Sequence, residues 1–224
     1  ESVPAASPDP AGPDGEDAPA SPTGDDLLDT AAAAALRGYD EEHGGFGSGG
    51  AKFPMPGRID LLVRAYARRG RDALLSAATG TLDGMANGGM YDQIGGGFHR
   101  YAVDREWTVP HFEKMLYDNA ELPMVYLDGY RLTGDPAYAR VASESLAFLD
   151  RELRHGDGGF FSTLDARSRQ PASRRSGDED GEEGDVEGAF YVWTPEEVDA
   201  VLDEPAASLA KERYGIRPGG NFER

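Results

Sequence analysis

The stretch Gly89–Asn119 gathers most of the side chains able to do chemistry: His99 and His111, with Asp92, Asp104, Glu106, Glu113 and Asp118 around them and Lys114 in their midst. Asp165 adds a further carboxylate downstream. Two carboxyl groups across a sugar would suit glycoside hydrolysis, and a histidine pair would suit proton transfer at a carbon; spacing alone does not choose between these. Tyr91, Tyr101, Trp107, Phe112 and Trp193 offer faces for a sugar ring or a nucleobase, although such rings also serve as core and loop anchors. Gly95, Gly96 and Gly97 let the backbone approach a ligand or another chain closely. No tight His-x-x-x-His pair accompanies the histidines, so no metal site is expected. The absence of cysteine excludes thiol catalysis, disulfides and Cys-ligated metals in this chain. No Gly-x-Ser-x-Gly supports a serine nucleophile. The loop Gly44–Gly50 before Lys52 lacks the Gly-Lys-Ser/Thr ending of a phosphate cradle, and no cofactor is expected.

The elements that must position these residues read as helices joined by alternately long and short connections. Asp25 or Asp26 is expected to cap a first helix that runs through Ala31–Ala35 to Leu36. A second runs from about Arg58 to Arg69, with Ile59, Leu62, Val63 and Tyr66 at helical spacing, and Gly70 ends it. A third covers about Asp72 to Ala86. Pro110 is expected to open a fourth helix, which places His111 in its first turn and sets His111 and Asp118 on one face. In that helix Glu113 lies roughly 200° round from His111, so the two share a pocket only if one of them is pre-helical. Pro123 should kink or break this helix. Phe112, Leu116, Ala120, Leu127 and Tyr130 are its apolar positions, and Tyr138, Val141, Leu146 and Leu149 are buried candidates of a fifth helix that ends near Leu153. Ala189–Trp193 reads as a short strand, Thr194-Pro195-Glu196-Glu197 as a helix start, and Ala206–Tyr214 as a weak last helix.

Gly-Gly-Phe occurs at Gly44-Gly45-Phe46, Gly96-Gly97-Phe98 and Gly158-Gly159-Phe160, separated by 52 and 62 residues. Each interval holds two helices joined by a very short turn, at Gly70 and at Gly134-Asp135. Antiparallel helices connected in this way carry all the long loops at one end, the pattern of a helical-hairpin array, either an open solenoid or a closed α/α toroid. All four histidines lie in or beside the long loops, so that end is the expected functional face.

Composition narrows the partners. The net charge of −19 argues against nucleic acid and against anionic lipid, both of which need a surplus of Lys and Arg. Widely spread acid, with lysine only at 52, 114 and 211, fits adaptation to high salt better than a cation-loaded surface. No run approaches a membrane span and no signal-peptide pattern opens the chain, so a cytoplasmic location is the default. Residues 1–24 read as a disordered linker, residues 25–224 as the folded part, and residues 169–187 as an acidic, disordered, solvated insertion without a binding motif.

Four blocks carry a family resemblance: Lys52-Phe53-Pro54, Met90–Tyr101, Val109–Asn119 and Phe190–Thr194. Together they resemble the thioredoxin-domain-containing spermatogenesis-associated protein family, over about Gly44 to the end of the chain. The resemblance implies an all-α fold, a partial (α/α)6 toroid of antiparallel hairpins with short β segments in the long loops, similar to N-acylglucosamine 2-epimerases and six-hairpin glycosidases. It implies that residues 25–224 are the N-terminal half of that toroid, and that a thioredoxin-like domain and the second half lie elsewhere in a full-length protein. It also marks a departure, since Arg167 stands where the family has an acid. On this basis the expected function is carbohydrate metabolism, with an epimerase-, isomerase- or glycosidase-like pocket and a sugar ligand. His99 and His111 are then the acid/base candidates, with Glu113 and Asp118 as carboxylate partners. Tyr91, Asp92 and Arg100 are expected to contact ligand, and Trp107 to form a stacking wall. The alternative is a non-catalytic binding or scaffold module, or a fragment of the longer protein that does not work alone.

Overall fold

The structure, a computed structural model, describes residues 23–171 and 185–221 of the 224-residue chain. Nearly all of the expected linker, the centre of the expected insertion (172–184) and the last three residues lie outside the described residues. The helices are α1 (Gly24–Arg37), α2 (Pro56–Arg69), α3 (Asp72–Asn87), α4 (Leu116–Thr133), α5 (Pro136–Phe148), α6 (Pro195–Val201) and α7 (Ala206–Tyr214). A π-helical turn, Leu149–Leu153, closes α5, where an uninterrupted α-helix was expected.

Local chemistry accounts for the ends. Thr23, not Asp25 or Asp26, caps α1: its hydroxyl accepts the Asp26 amide and the Asp26 carboxylate accepts the Thr23 amide. Thr194 and Glu197 form the same reciprocal pair at α6, with Pro195 in the first turn, as the sequence predicts. Gly70 and Gly134 take left-handed conformations that turn α2 into α3 and α4 into α5.

Two expectations for the fourth helix fail. It begins at Leu116, not Pro110, because residues 110–111 pair with Tyr101–Ala102 within the same loop and residues 114–115 pair with Thr163–Leu164 of the next one. It also runs unbroken through Pro123, a buried residue: packing of α4 on both α2 and α5 outweighs the one backbone hydrogen bond that proline removes. The core draws Ile59, Leu62 and Val63 from α2, Leu74, Leu82 and Met85 from α3, Leu122 and Tyr126 from α4, and Tyr138 and Val141 from α5. Leu127, Tyr130 and Leu146, expected inside, are exposed.

Two-residue antiparallel ladders brace the long loops, and one of them joins the second loop to the third. β1 (Tyr101–Ala102) pairs with β2 (Pro110–His111), β3 (Lys114–Met115) with β4 (Thr163–Leu164), and β5 (Arg167–Ser168) with β6 (Val186–Glu187). A further bridge between Lys52 and Ala102 ties the first long loop to the second. Ala189–Trp193 is a turn rather than the expected strand; the pairing segment lies just before it, at β6.

The Gly-Gly-Phe loops close in a similar way, the third being one residue shorter. In each, both glycines have positive φ, and the phenylalanine bridges back to a residue shortly after the preceding helix: Tyr39 to Phe46, Tyr91 to Phe98, Arg154 to Phe160. The amides of Asp40, Asp92 and His155 each donate to the carbonyl of the second glycine, at 2.9, 3.0 and 3.0 Å. In the first two loops the aspartate also receives a buried lysine. Lys52 Nζ donates to Asp40 Oδ2 at 2.6 Å and to the Gly44 carbonyl at 2.5 Å. Lys114 Nζ donates to Asp92 Oδ2 at 2.7 Å and to the Gly96 carbonyl at 2.9 Å. Asp40 is further gripped by the fork of Arg105, which holds its carboxyl well below the usual carboxylate range.

Candidate functional site

Extended backbone at 110–113 decides the geometry. The β1–β2 register sets His111 opposite Tyr101, and their rings stack at 5.0 Å between centroids; Phe53 stacks on the other face of Tyr101 at 4.8 Å. Because residues 111–113 are extended rather than helical, His111 and Glu113 point the same way. His111 Nε2 lies 3.7 Å from Glu113 Oε2, and His111 Nδ1 lies 2.7 Å from Glu187 Oε1. Arg100 donates through Nη1 to Glu113 Oε2 at 3.0 Å, and the Arg100 amide donates to the Glu113 carbonyl at 2.8 Å. The Thr163 hydroxyl reaches Glu113 Oε1 at 3.3 Å. The His111, Glu113 and Glu187 side chains keep 25%, 21% and 49% of their surface, so the group is open to solvent.

Asp118 sits behind this cluster in the first turn of α4. It is buried, and its Oδ2 has no hydrogen-bond partner among the described residues. Burial pushes its carboxyl up to about 7 against the opposing pull of Arg100. The Nε of Arg100 is likewise buried without a partner.

His99 faces inward. It is 2% exposed, its Nδ1 lies 3.0 Å from the Phe112 carbonyl, and its ring meets Phe112 and Tyr191 edge-on. Burial, reinforced by the Lys114 ammonium, drives its pKa down to about 3, so the imidazole is neutral at ordinary pH and donates from Nδ1 to that carbonyl. The structure thus separates the two histidines that the sequence offered as a pair.

Three residues expected to touch ligand are occupied elsewhere. Tyr91 is buried against Phe98, and its hydroxyl donates to Glu144 of α5. Asp92 holds Lys114 and the amides of Ile94 and Gly95; burial pushes its carboxyl up, but those partners outweigh it and hold it below its ordinary value. Trp107 is fully buried, its indole N–H donating to the His43 carbonyl at 3.0 Å, and it takes a positive φ of 63°. It walls the interior of the first loop rather than an open cleft. A shallow concavity of about 360 Å³ borders it, lined by Tyr39, Glu41, His43, Asp83 and Glu106 among others, and lies away from His111.

Of the eight candidates, Arg100, His111, Glu113 and Asp118 come together. Sequence reasoning missed Glu187 and Thr163. Glu187 fell in the segment read as a solvated insertion, yet β6 carries it to His111, and nothing in the spacing across 76 residues signals that contact. Arg167 pairs in β5 opposite Glu187, and its guanidinium donates to the Asp185 carbonyl, so it shapes the hairpin that delivers Glu187. Among the described residues no three His, Asp or Glu side chains are arranged to hold a metal ion, and no helix is long and apolar enough to cross a membrane.

Comparison with known proteins bears on both sequence and fold. No protein-family model matches the chain. Human spermatogenesis-associated protein 20 is 41% identical over 198 residues, covering 83% of this chain and 24% of that protein. An uncharacterized Caenorhabditis elegans protein is 35% identical over 199 residues, covering 83% and 26%. The chain therefore spans about a quarter of the length of the curated relatives it matches. Among solved structures, the cellobiose 2-epimerase of Spirochaeta thermophila superposes with a TM-score of 0.53 at 20% identity, over 65% of this chain and 43% of that one. The cellobiose 2-epimerase of Bacillus thermoamylovorans gives 0.56 at 13% identity, over 85% and 54%. At these identities the likeness is one of fold. The chain is accordingly a relative of a quarter-length segment of spermatogenesis-associated protein 20, folded as part of an α/α toroid of the kind seen in sugar epimerases.

Proposed function

We propose that the long-loop end of this toroid binds a sugar and transfers a proton at one of its carbons, as an epimerase or isomerase does. The observation that carries this reading is the solvent-open imidazole of His111 set between two carboxylates. Glu187 orients the ring through Nδ1, which leaves Nε2 to take a proton from a carbon next to a carbonyl and to return it. Arg100 and Glu113, already paired, supply a donor and an acceptor for substrate oxygens. Asp118, whose carboxyl burial raises to about 7, is only partly ionised near pH 7 and so backs Arg100 with a reduced charge. Phe53, exposed and stacked on the far face of Tyr101, offers an apolar face one ring removed from His111 for a sugar ring. An imidazole between two carboxylates suits proton transfer better than it suits hydrolysis by a carboxylate pair. The fold shared with cellobiose 2-epimerases supports this reading.

The test is solvent deuterium exchange. The full-length protein, incubated in D2O with a panel of reducing mono- and disaccharides, is expected to introduce deuterium next to the carbonyl of at least one of them. His111→Asn should slow that exchange by about 10²–10⁴-fold, the usual contribution of a positioned acid/base group. The absence of both exchange and binding across the panel would overturn the reading.

One set of contacts favours a non-catalytic binding or scaffold module. Tyr91, Asp92, His99, Trp107 and Lys114 are tied to other loops and helices instead of lining an opening. On that reading sugars bind without exchange, and His111→Asn leaves binding unchanged.

A further inference from the structure

The first two Gly-Gly-Phe loops each lie against the second helix of the hairpin that follows them. In the first, Gly44 meets the Gly80 carbonyl of α3, the Gly45 amide donates to the Thr81 hydroxyl, and the Tyr39 hydroxyl reaches the Ser76 carbonyl. In the second, Gly96 meets the Glu144 carbonyl of α5, Gly97 abuts the Phe148 ring, and the Tyr91 hydroxyl donates to Glu144. The seat is made by bare glycine backbone, which lets a helix approach closer than any side chain would allow. The phenylalanine beside it is sealed in both cases: Phe46 is 3% exposed and Phe98 is 0% exposed.

The third loop closes with the same bond, His155 to Gly159, but is one residue shorter: Phe160 lies six residues after its bridge partner, against seven in the other two. Among the described residues no helix lies on it. Gly158 and Gly159 have φ of 93° and 78°, and among the described residues nothing lies within 4 Å of where their Cβ atoms would be. Phe160 is 51% exposed and Phe161 is 52% exposed. The helices next in order do not fill the place. α6 and α7, with 7 and 9 residues, are much shorter than the 13 to 18 residues of α1–α5, and they pack chiefly on each other.

We infer that the third Gly-Gly-Phe loop is a berth for a long helix seated as α3 and α5 are seated on the first two, and that the same polypeptide supplies this helix in a protein as long as the relatives. Those relatives are about four times the length matched here, and the epimerase toroids are covered only to 43–54%. Both leave room for a further hairpin. The docking helix must present backbone at the contact, as α3 does through Gly80, or a flat ring, as Phe148 does at the end of α5. Arg154, at the position of Tyr39 and Tyr91, would reach a helix carbonyl or carboxylate in place of a tyrosine hydroxyl.

Hydrogen exchange in the full-length protein reads this directly, because the Asp40, Asp92 and His155 amides make the same loop-closing bond in the three loops. The expected result is comparable protection at all three sites, unchanged on dilution. Exchange at His155 on the order of 100-fold faster than at Asp40 and Asp92 would overturn the berth. Protection at His155 that falls with protein concentration would assign the seat to a second copy and overturn the same-chain occupant. Phe160→Ala should lower the Tm of the full-length protein as Phe98→Ala does; an unchanged Tm would likewise overturn the inference.

Discussion

Two buried titratable groups set opposing pH responses. The carboxyl of Asp118 rises from 3.8 to about 7 in the folded protein, so folding favours its protonated form. The cost is absent below pH 4 and grows as pH rises, reaching its full size above about 7. Asp118→Asn removes it: the variant should gain on the wild type from pH 5 to pH 8 in urea unfolding, by up to about 2–4 kcal/mol before screening by nearby solvent. No change in the difference across that range would show that Asp118 is satisfied in the folded state. The pKa of His99 falls from 6.5 to about 3, so its neutral form is favoured on folding. That contribution is complete above pH 6.5 and is lost as pH falls toward 3. His99→Gln should flatten the acid limb of the stability profile, and an unchanged acid limb would place the acid sensitivity elsewhere. His111 is partly exposed and belongs to the proposed chemistry, so its replacement should alter turnover far more than stability.

At the scale of elements, the buried lysines act as clasps. Each closes one Gly-Gly-Phe loop by taking its aspartate and a glycine carbonyl, and each also faces an aromatic ring: Lys52 faces Trp107 and Lys114 faces Phe148. Removing one partner of a buried ion pair costs about 3–5 kcal/mol, mostly through the charge left behind. Lys114→Met should therefore cost close to that range, measured by the urea midpoint. Lys52→Met should cost less, because Arg105 stays on Asp40. Equal costs would mean that Arg105 contributes nothing to Asp40. The hairpin order and the end that carries the long loops were legible in the sequence, because helical periodicity and glycine turns are local signals. The start of α4 was not, since Pro110 fits a first helical turn equally well until the pairing of residues 110–111 with Tyr101–Ala102 and of 114–115 with the distant Thr163–Leu164 overrides it. Half of the site was legible for the same reason. Arg100, His111 and Glu113 share one stretch, whereas Glu187 arrives through a non-local ladder. Tyr91, Asp92 and Trp107 look like ligand contacts by type, and only burial shows that they close loops.

For the whole molecule, 41 acidic against 22 basic residues leave the folded chain repelling itself. Surface ion pairs such as Arg68–Asp25 and Arg154–Asp150 offset only part of this, and exposed pairs are worth little. Raising salt from about 0.05 M to 0.5 M shortens the screening length severalfold and should raise the Tm. A Tm that falls with salt would mean that the ion pairs, not the excess charge, dominate. The ladder joining His111 to Glu187 carries a last consequence, which concerns the ribosome. The imidazole and its orienting carboxylate are 76 residues apart, and at roughly 5–20 residues per second the partner emerges about 4–15 seconds later. In the later part of that interval, once Phe148 has emerged, α1–α5 can be assembled while His111 remains unaligned, so a nascent chain arrested before β6 would carry the scaffold of the site without its chemistry.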